Sequence, residues 1–582
     1  MPILMNKGDL SDNVRLWSER FYQSGSRTQI TITTALISAC LFSGYLYYIG
    51  GMGFFSDDFF AFVHLSEGGG LNNAINALID GPGGRPAGQF IWRLLHTLAL
   101  PYDPFWLQAF AGVIVVLQCV VVYTILLKLK IHQFAAFVAS LFMGLAPFNQ
   151  SVYLPVHGVF TEFATILSLL AIKFILVDRP IFAAISAAVT ITIYEHMLPL
   201  IPFIALLPIY AESLNSNKKQ SNLWQSIFNK NSVYFSIMFI LAAVLAFFWR
   251  GSGRANRLAG DAPIDIVTRM IEAANRGSRA TIESISNVWD YILTVNGQVD
   301  FLPIAAAVTV VCVFGLFTLS VESPKFHERF WTLLVLAVSG VLIIYLSYFV
   351  LVTRFYTIDE TLGRISNVHS TARLGYVLLI GTALHALVAS KSTFAKFAAL
   401  GTACFIVASL TQFSHAYGLE NTRVWDRKVN LARAYALGCR ANPEMRHVAV
   451  LIPDGFSTSY ADPVLDWVTY RTPFGFFETS PNHFLFIVLP ENHDEFLRRL
   501  EAGTEVNLTG MGGRLYRRVE RNESRVRVPN EELAVVRILS NGALQPVGVE
   551  EQIERFDSCT LEPRGRFREL RAVNSAEQIG GG

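Results

Sequence analysis

The chain has 582 residues, 52% of them hydrophobic and only 16% charged, with a mean hydropathy of +0.40. A soluble globular protein carries about a quarter charged residues, so this balance excludes a wholly soluble chain and points to a polytopic α-helical membrane protein. The net charge of +2 comes with no basic tract and no stacking motif, which excludes nucleic acid as the expected partner.

Residues 1–29 are polar and of mixed charge, and the apolar run that follows is long enough to cross a bilayer. This start reads as a signal anchor and not as a cleavable signal. A span needs about 20 apolar residues. Candidate spans in chain order are Ile30–Ile49, Phe105–Leu127, Ile131–Pro147, Val159–Val177, Val233–Trp249, Phe301–Leu319, Phe330–Val352, Leu374–Ala389 and Phe397–Phe413. The stretch Ile181–Tyr210 is long for one crossing. With Tyr194, Glu195 and His196 at its centre and Pro199, Pro202 and Pro208 after them, it reads as two short helices meeting at a polar turn. The expected fold is therefore an all-α polytopic membrane domain of about eleven helices, over residues 30–414, followed by a small α/β soluble domain over 415–582.

Orientation follows from Lys and Arg at the span ends. With the N-terminus cytoplasmic (Lys7, Arg15, Arg20, Arg27), the later cytoplasmic segments hold Lys128 with Lys130, Lys173 with Arg179, and Lys218, Lys219 and Lys230. Lys325 with Arg329 and Lys391 with Lys396 complete the set. Every such segment is basic, and merging Ile181–Tyr210 into one span would place the later lysines outside. This arrangement puts the loop 51–104, the segment 251–300 and the tail after His415 on the outer face of the membrane. In the first loop, Leu71, Ala74, Ile75, Leu78 and Ile79 fall at helical spacing, as do Phe90, Leu94, Leu95 and Leu98. These are expected to be helices lying in the interface plane. In the tail, Val448–Ile452, Phe484–Leu489, Val526–Val528 and Ala534–Leu539 read as strands and Glu495–Leu500 as a helix. Cys40, Cys119, Cys312 and Cys404 lie in apolar runs, whereas Cys439 and Cys559 lie in the tail, either as a disulfide or as two free thiols.

Asp57 and Asp58 stand between aromatic pairs just past the first span, in Phe-Phe-Ser-Asp-Asp-Phe-Phe. Two carboxylates this close push one pKa up, and such a group near lipid suits a general base acting on a hydroxyl acceptor. Ser56, Asp57 or Asp58 would equally serve as a helix N-cap, and the two roles are compatible. Arg354, Arg364 and Arg373 crowd the outer loop 353–373 against the positive-inside tendency. An anionic ligand would account for them, because the guanidinium fork suits phosphate oxygens; so would Asp359, Glu360 or lipid headgroups. Arg85, between Gly84 and Pro86, either reaches a ligand or snorkels at the surface. Tyr194 and Glu195 at the short-helix turn are candidates for binding sugar hydroxyls, with His157 and Glu162 as weaker ones. The residues show no His/Cys metal motif, no phosphate loop and no nucleophile elbow. No cofactor is expected, and the need for a divalent cation stays open.

Asp57-Asp58 after the first span, Gly84-Arg85-Pro86 before the second interfacial helix, and Tyr194-Glu195 between two short helices together resemble the GT-C superfamily of integral-membrane glycosyltransferases. Within it the chain looks most like the Gtr-type glucosyltransferases that modify O-antigen. The resemblance covers roughly residues 30–410. It implies a polyprenyl-phosphate sugar donor, a saccharide or lipid acceptor at the outer face, and a catalytic base at Asp57 or Asp58. It further implies that Arg85 lies in the family's Gly-Arg-Pro element. Where the family pattern has Gln after Tyr, this chain has Glu195. Two other classes compete. A flippase or transporter for a lipid-linked saccharide would show paired broken helices, and only one broken pair is legible. An O-antigen ligase or polymerase would lean on Arg and His more than on an Asp pair.

Overall fold

The computed structural model describes residues 26–44, 46–48, 70–80, 86–99, 104–146, 155–194, 266–295, 301–319, 330–349, 369–390, 392–441, 447–453, 484–502, 505–507, 514–516, 527–529, 533–540 and 543–547, with positions 200, 203 and 207. The helices are α1 Ser26–Ser43, α2 Gly70–Asp80, α3 Pro86–Ala99, α4 Pro104–Lys128, α5 Gln133–Leu145, α6 Pro155–Leu176, α7 Pro180–Ile193 and α8 Ile266–Val295. They continue with α9 Phe301–Leu319, α10 Phe330–Phe349, α11 Ser370–Ala389 and α12 Thr393–Ala441. Among the described residues, four helical stretches are long and apolar enough to cross a membrane: Leu107–Lys128, Phe301–Leu319, Ser370–Ala389 and Thr393–Arg423. Thr28–Ser43, Gln133–Leu145, Pro180–Ile193 and Leu333–Tyr348 are shorter apolar helices. The chain is thus helical and membrane-integral. The span read at 233–249 lies outside the described residues.

Two helical hairpins are closed by the same device. At the end of α4, Lys130 has φ 62°, its N–H donates to the Leu127 carbonyl, and Ile131 N–H donates back to Leu126. At the end of α6, Asp178 has φ 57°, its N–H donates to Ile175, and Arg179 N–H donates to Phe174. Both are Schellman closures, which satisfy the last carbonyls of a helix and reverse the chain. Pro180 then opens α7, where its missing N–H costs nothing. The α6–α7 hairpin packs along its length and pairs Phe174 with Phe182 at 5.6 Å.

Other contacts depend on small residues. A Cβ on Gly340 of α10 would sit 2.8 Å from the Gly375 carbonyl of α11, and the reciprocal contact is tighter still. Without side chains there, the two backbones touch, as small residues allow in membrane helices. The long amphipathic α8 packs on α10 through Ser278 and Tyr345 hydroxyls at 3.3 Å, and Thr281 shares a hydrogen bond with Tyr376 of α11. These contacts draw residues 266–295 onto the bundle, where the sequence had suggested only an outer region. The helices read from Leu71 to Ile79 and from Phe90 to Leu98 are α2 and α3.

The chain divides into two compact units, one of residues 1–49, 74–92 and 107–419, the other of residues 50–73, 93–106 and 420–582. Helix α12 runs unbroken through 415, where the sequence reading began a soluble domain, and carries Cys439 in its last turns. In the second unit the strands are β1 His447–Leu451, β2 Phe484–Val488, β3 Glu505–Asn507, β4 Arg514–Tyr516, β5 Arg527–Pro529, β6 Leu533–Ile538 and β7 Leu544–Val547. A five-stranded sheet has the order β4-β2-β1-β6-β7, with β1 parallel to both neighbours and the outer pairs antiparallel, while β3 and β5 form a separate pair. The central strands are mostly apolar, and successive residues of β1 and β6 are buried, as in a sheet covered on both faces. Phe496 of the helix α13, His493–Ala502, stacks on Phe486 at 6.3 Å and closes a core with Ala449, Leu451, Val488, Leu533 and Val535.

Candidate functional site

Within the first unit, several helices end at one level. Arg373 and Gln118 set that level, and α4 and α11 run parallel. The register is held by the contact of Arg373 with Gln118, the packing of Gly381 against Leu126, and the hydrogen bond from His132 N–H to His385 Nδ1 at 2.8 Å. Arg373 lies in the first turn of α11. Gln118 lies well inside α4, roughly 21 Å from Pro104 at 1.5 Å per residue. The last turn of α5 reaches the same level, because Gly144 abuts Cys119. Leu145 in turn accepts from Ser414 Oγ of α12 at 3.2 Å and packs against Gly44 at the end of α1. On α6 and α7, Glu162 and Tyr194 stand equal distances along antiparallel helices from the Phe174–Phe182 contact, so the end of α7 is level with Glu162. Of these helices, α4 and α6 continue past this floor toward their N-termini.

The floor is charged. Arg373 and Glu162 are both fully buried and form an ion pair at 3.3 Å through Arg373 Nη2 and Glu162 Oε2. The same Nη2 donates to Gln118 Oε1 at 3.4 Å. Gln118 Nε2 donates to the Glu162 carboxylate and, at 2.9 Å, to the Glu162 backbone carbonyl. Gln118 therefore uses both ends of its amide to tie an acid on one helix to a base on another. Buried charges persist only where such partners satisfy them. In a membrane domain an ionisable pair of this kind is a site candidate by default. Tyr194 is buried at the α7 terminus, its backbone N–H donating to the Thr190 carbonyl at 2.8 Å.

Below the floor, toward the Lys128 end of α4, lies an apolar cleft. Val122 and Ile125 of α4, Leu169 and Ile172 of α6, and Leu374 and Val377 of α11 line it. Leu374 follows Arg373 directly in sequence, so cleft and charged cluster are neighbours. A second aromatic cluster lies at the end of α1. Tyr48 OH and His415 Nε2 are 2.9 Å apart, and Tyr47 stacks on the same imidazole. Residues 46–48 are thus held to α12.

No protein-family model matches this chain, and no curated protein matches it. Among solved structures, ArnT from Cupriavidus metallidurans in the apo state is similar at a TM-score of 0.32 and 12% identity, over 88% of this chain and 99% of that one. So distant a likeness transfers no residue roles.

Of the residues singled out from sequence, the structure places Arg373 and Tyr194 in the first unit. Both are buried at the level where helices end. Arg373 belongs to α11 and is enclosed by the bundle; it is not part of the outer loop to which its sequence position assigned it. Asp57, Asp58, Arg85, Glu195, Arg354 and Arg364 lie outside the described residues. Glu162, a lesser candidate from sequence, is the direct partner of Arg373. Gln118 was missed, and the signal for it was present: an amide in an otherwise apolar span needs a polar partner. Among the described residues no cluster of three His, Cys, Asp or Glu side chains could hold a metal ion.

Proposed function

We propose that this protein transfers a sugar from a polyprenyl-phosphate donor to a hydroxyl on a cell-surface saccharide or lipid, at the outer face of the plasma membrane. It would act as a GT-C-type glycosyltransferase of the Gtr kind. The observation that carries the reading is the adjacency of a buried guanidinium to a wholly apolar cleft at the level where the helices end. A ligand that joins one anionic group to an apolar chain would set its charge at Arg373 beside this apolar lining, whose cavity of about 30 Å³ takes only a small part of the chain. The phosphate would meet Arg373, with Arg364, Arg354 and Arg85 as further anion ligands, and the isoprenoid chain would leave past the apolar residues below it. Arginine there stabilises the charge that develops on the phosphate as the glycosidic bond breaks. Asp57 or Asp58 takes the proton from the acceptor hydroxyl, whose oxygen attacks the anomeric carbon, and a single displacement inverts its configuration. Tyr194 and Glu195 would bind sugar hydroxyls. The lipid carrier supplies the activated sugar, so no nucleotide is needed.

The test is transfer of radiolabelled sugar from polyprenyl-phosphate donors into membranes, comparing wild type with Asp57→Asn and Asp58→Asn at matched expression. At least one variant should lose product by about two orders of magnitude or more, as removal of a general base does. Full activity in both would take the acid pair out of the chemistry. One observation favours a second reading, transport of a lipid-linked saccharide: the Glu162–Arg373 pair is enclosed by membrane helices, where ionisable groups mark pathways. That reading gains if the wild type makes no product yet moves a fluorescent polyprenyl-phosphate across proteoliposomes.

A further inference from the structure

Helices α9 and α12 lie antiparallel and face each other along two turns. Lys396 Nζ donates to the Leu319 carbonyl at 3.4 Å, Gly315 faces Leu400, and Cys312 faces Cys404. Four residues along α9 are matched by four back along α12, and the next three by four, so the pairing spans about two helical turns. Gly315 makes the approach possible, because a Cβ there would stand 2.7 Å from Leu400 Cδ1 and 3.0 Å from Phe134 Cε2. One turn away, the Sγ atoms of Cys312 and Cys404 are 3.4 Å apart, and both are free thiols. A disulfide needs an S–S distance of about 2.05 Å, so closure asks for roughly 1.4 Å of movement, within the reach of two side-chain rotations. The pair is half-buried, beside the exposed Val313 and Phe405. Cys40 and Cys119, by contrast, are fully enclosed.

We propose that Cys312 and Cys404 form a reversible interhelical disulfide, a modification site facing the lipid side of the bundle. Each thiol gives up one proton and one electron, the Sγ–Sγ bond forms, and an apolar two-electron acceptor of the quinone or azo class takes up both electrons and both protons. A dithiol reductant reverses the step. The bond fixes α12 against α9 two turns from the end of the pair that carries Lys396. This is independent of the sugar-transfer reading.

The experiment uses the full-length protein in native membranes, treated with diamide, an apolar azo oxidant, and then alkylated and mapped at the peptide level. Cys312 and Cys404 should lose most of their alkylation together, and a peptide pair joined at these two residues should appear and vanish on dithiothreitol. The oxidised wild type should also unfold at a higher temperature, by a few degrees, while Cys312→Ser shows no oxidant-dependent rise. Retention of both thiols after diamide would overturn the proposal, as would diamide adducts at Cys312 and Cys404 separately or an equal rise in the variant. The peptide mapping is done on wild type, so a poorly folding variant cannot obscure the result.

Discussion

Arg373 sits in a cluster where structure and activity pull on the same atoms. Its guanidinium donates to Glu162 and Gln118, so a phosphate arriving there shares those donors or displaces the carboxylate. Substitution separates the two roles. Removing one member of a buried pair leaves the other charge without its partner, at a cost of about 3–5 kcal/mol, whereas removing both costs far less. Glu162→Gln and Arg373→Gln should therefore each lower the thermal stability of the detergent-solubilised protein sharply, and the double variant should recover most of it. Losses that simply add would show that the two residues do not interact energetically. In the proposed reaction the stable double variant still lacks the guanidinium, and its sugar transfer should stay at the level of Arg373→Gln alone. Sequence reading reached Arg373 through its excess charge in a supposed outer loop and ranked Glu162 low for want of a visible partner. What brings them together is the parallel register of α4 and α11 and the placement of α6 beside them, and no residue pattern states that register.

At the scale of elements, the hairpin closures were hidden for a chemical reason. Schellman turns are usually recognised by glycine, and here lysine and aspartate occupy the left-handed position. An L-residue with a Cβ costs roughly 1–2 kcal/mol in that conformation, of which Asp recovers part through local hydrogen bonding. Lys130→Gly should thus raise the unfolding temperature, by an amount worth up to about 1 kcal/mol once the added freedom of the unfolded chain is discounted. Lys130→Val should lower it, because a β-branched side chain tolerates positive φ least. The same pair of changes at Asp178 should show a smaller gain and a similar loss. A rise with valine at either turn would mean that the backbone relaxes out of the left-handed region. The close crossing of α10 and α11 is stricter. Gly375→Leu forces a side chain between touching backbones, and overpacking of this kind costs several kcal/mol when the backbone itself must shift. Expression of folded, monodisperse protein should fall severely, and near-normal yield would contradict the contact. Apolar periodicity did locate most of these helices, including α2 and α3. It could not show which glycines face a partner backbone.

At the scale of the whole chain, the charges that suggested an orientation can be followed onto the structure. Lys130 lies in the α4–α5 turn, and His132 just after it meets His385 near the end of α11. Lys396, at the start of α12, donates to the last residue of α9. Arg179 lies in the α6–α7 turn, two turns of chain beyond Ile172, which lines the cleft together with Leu129. Basic residues from three separate stretches of sequence thus collect at one end of the bundle, opposite the floor where Arg373, Glu162 and Tyr194 lie. Positive residues mark the cytoplasmic side, so this end should face the cytoplasm and the charged floor should open outward, as an outer-face reaction requires. Epitope tags inserted at residues 130, 179 and 391 should be reached by antibody only after permeabilisation, and a tag following residue 582 should be reached in intact spheroplasts. The two groups must differ, because Thr393–Arg423 is apolar and long enough to carry the chain across. If the tag at 391 and the C-terminal tag are reached from the same side, α12 does not cross the membrane.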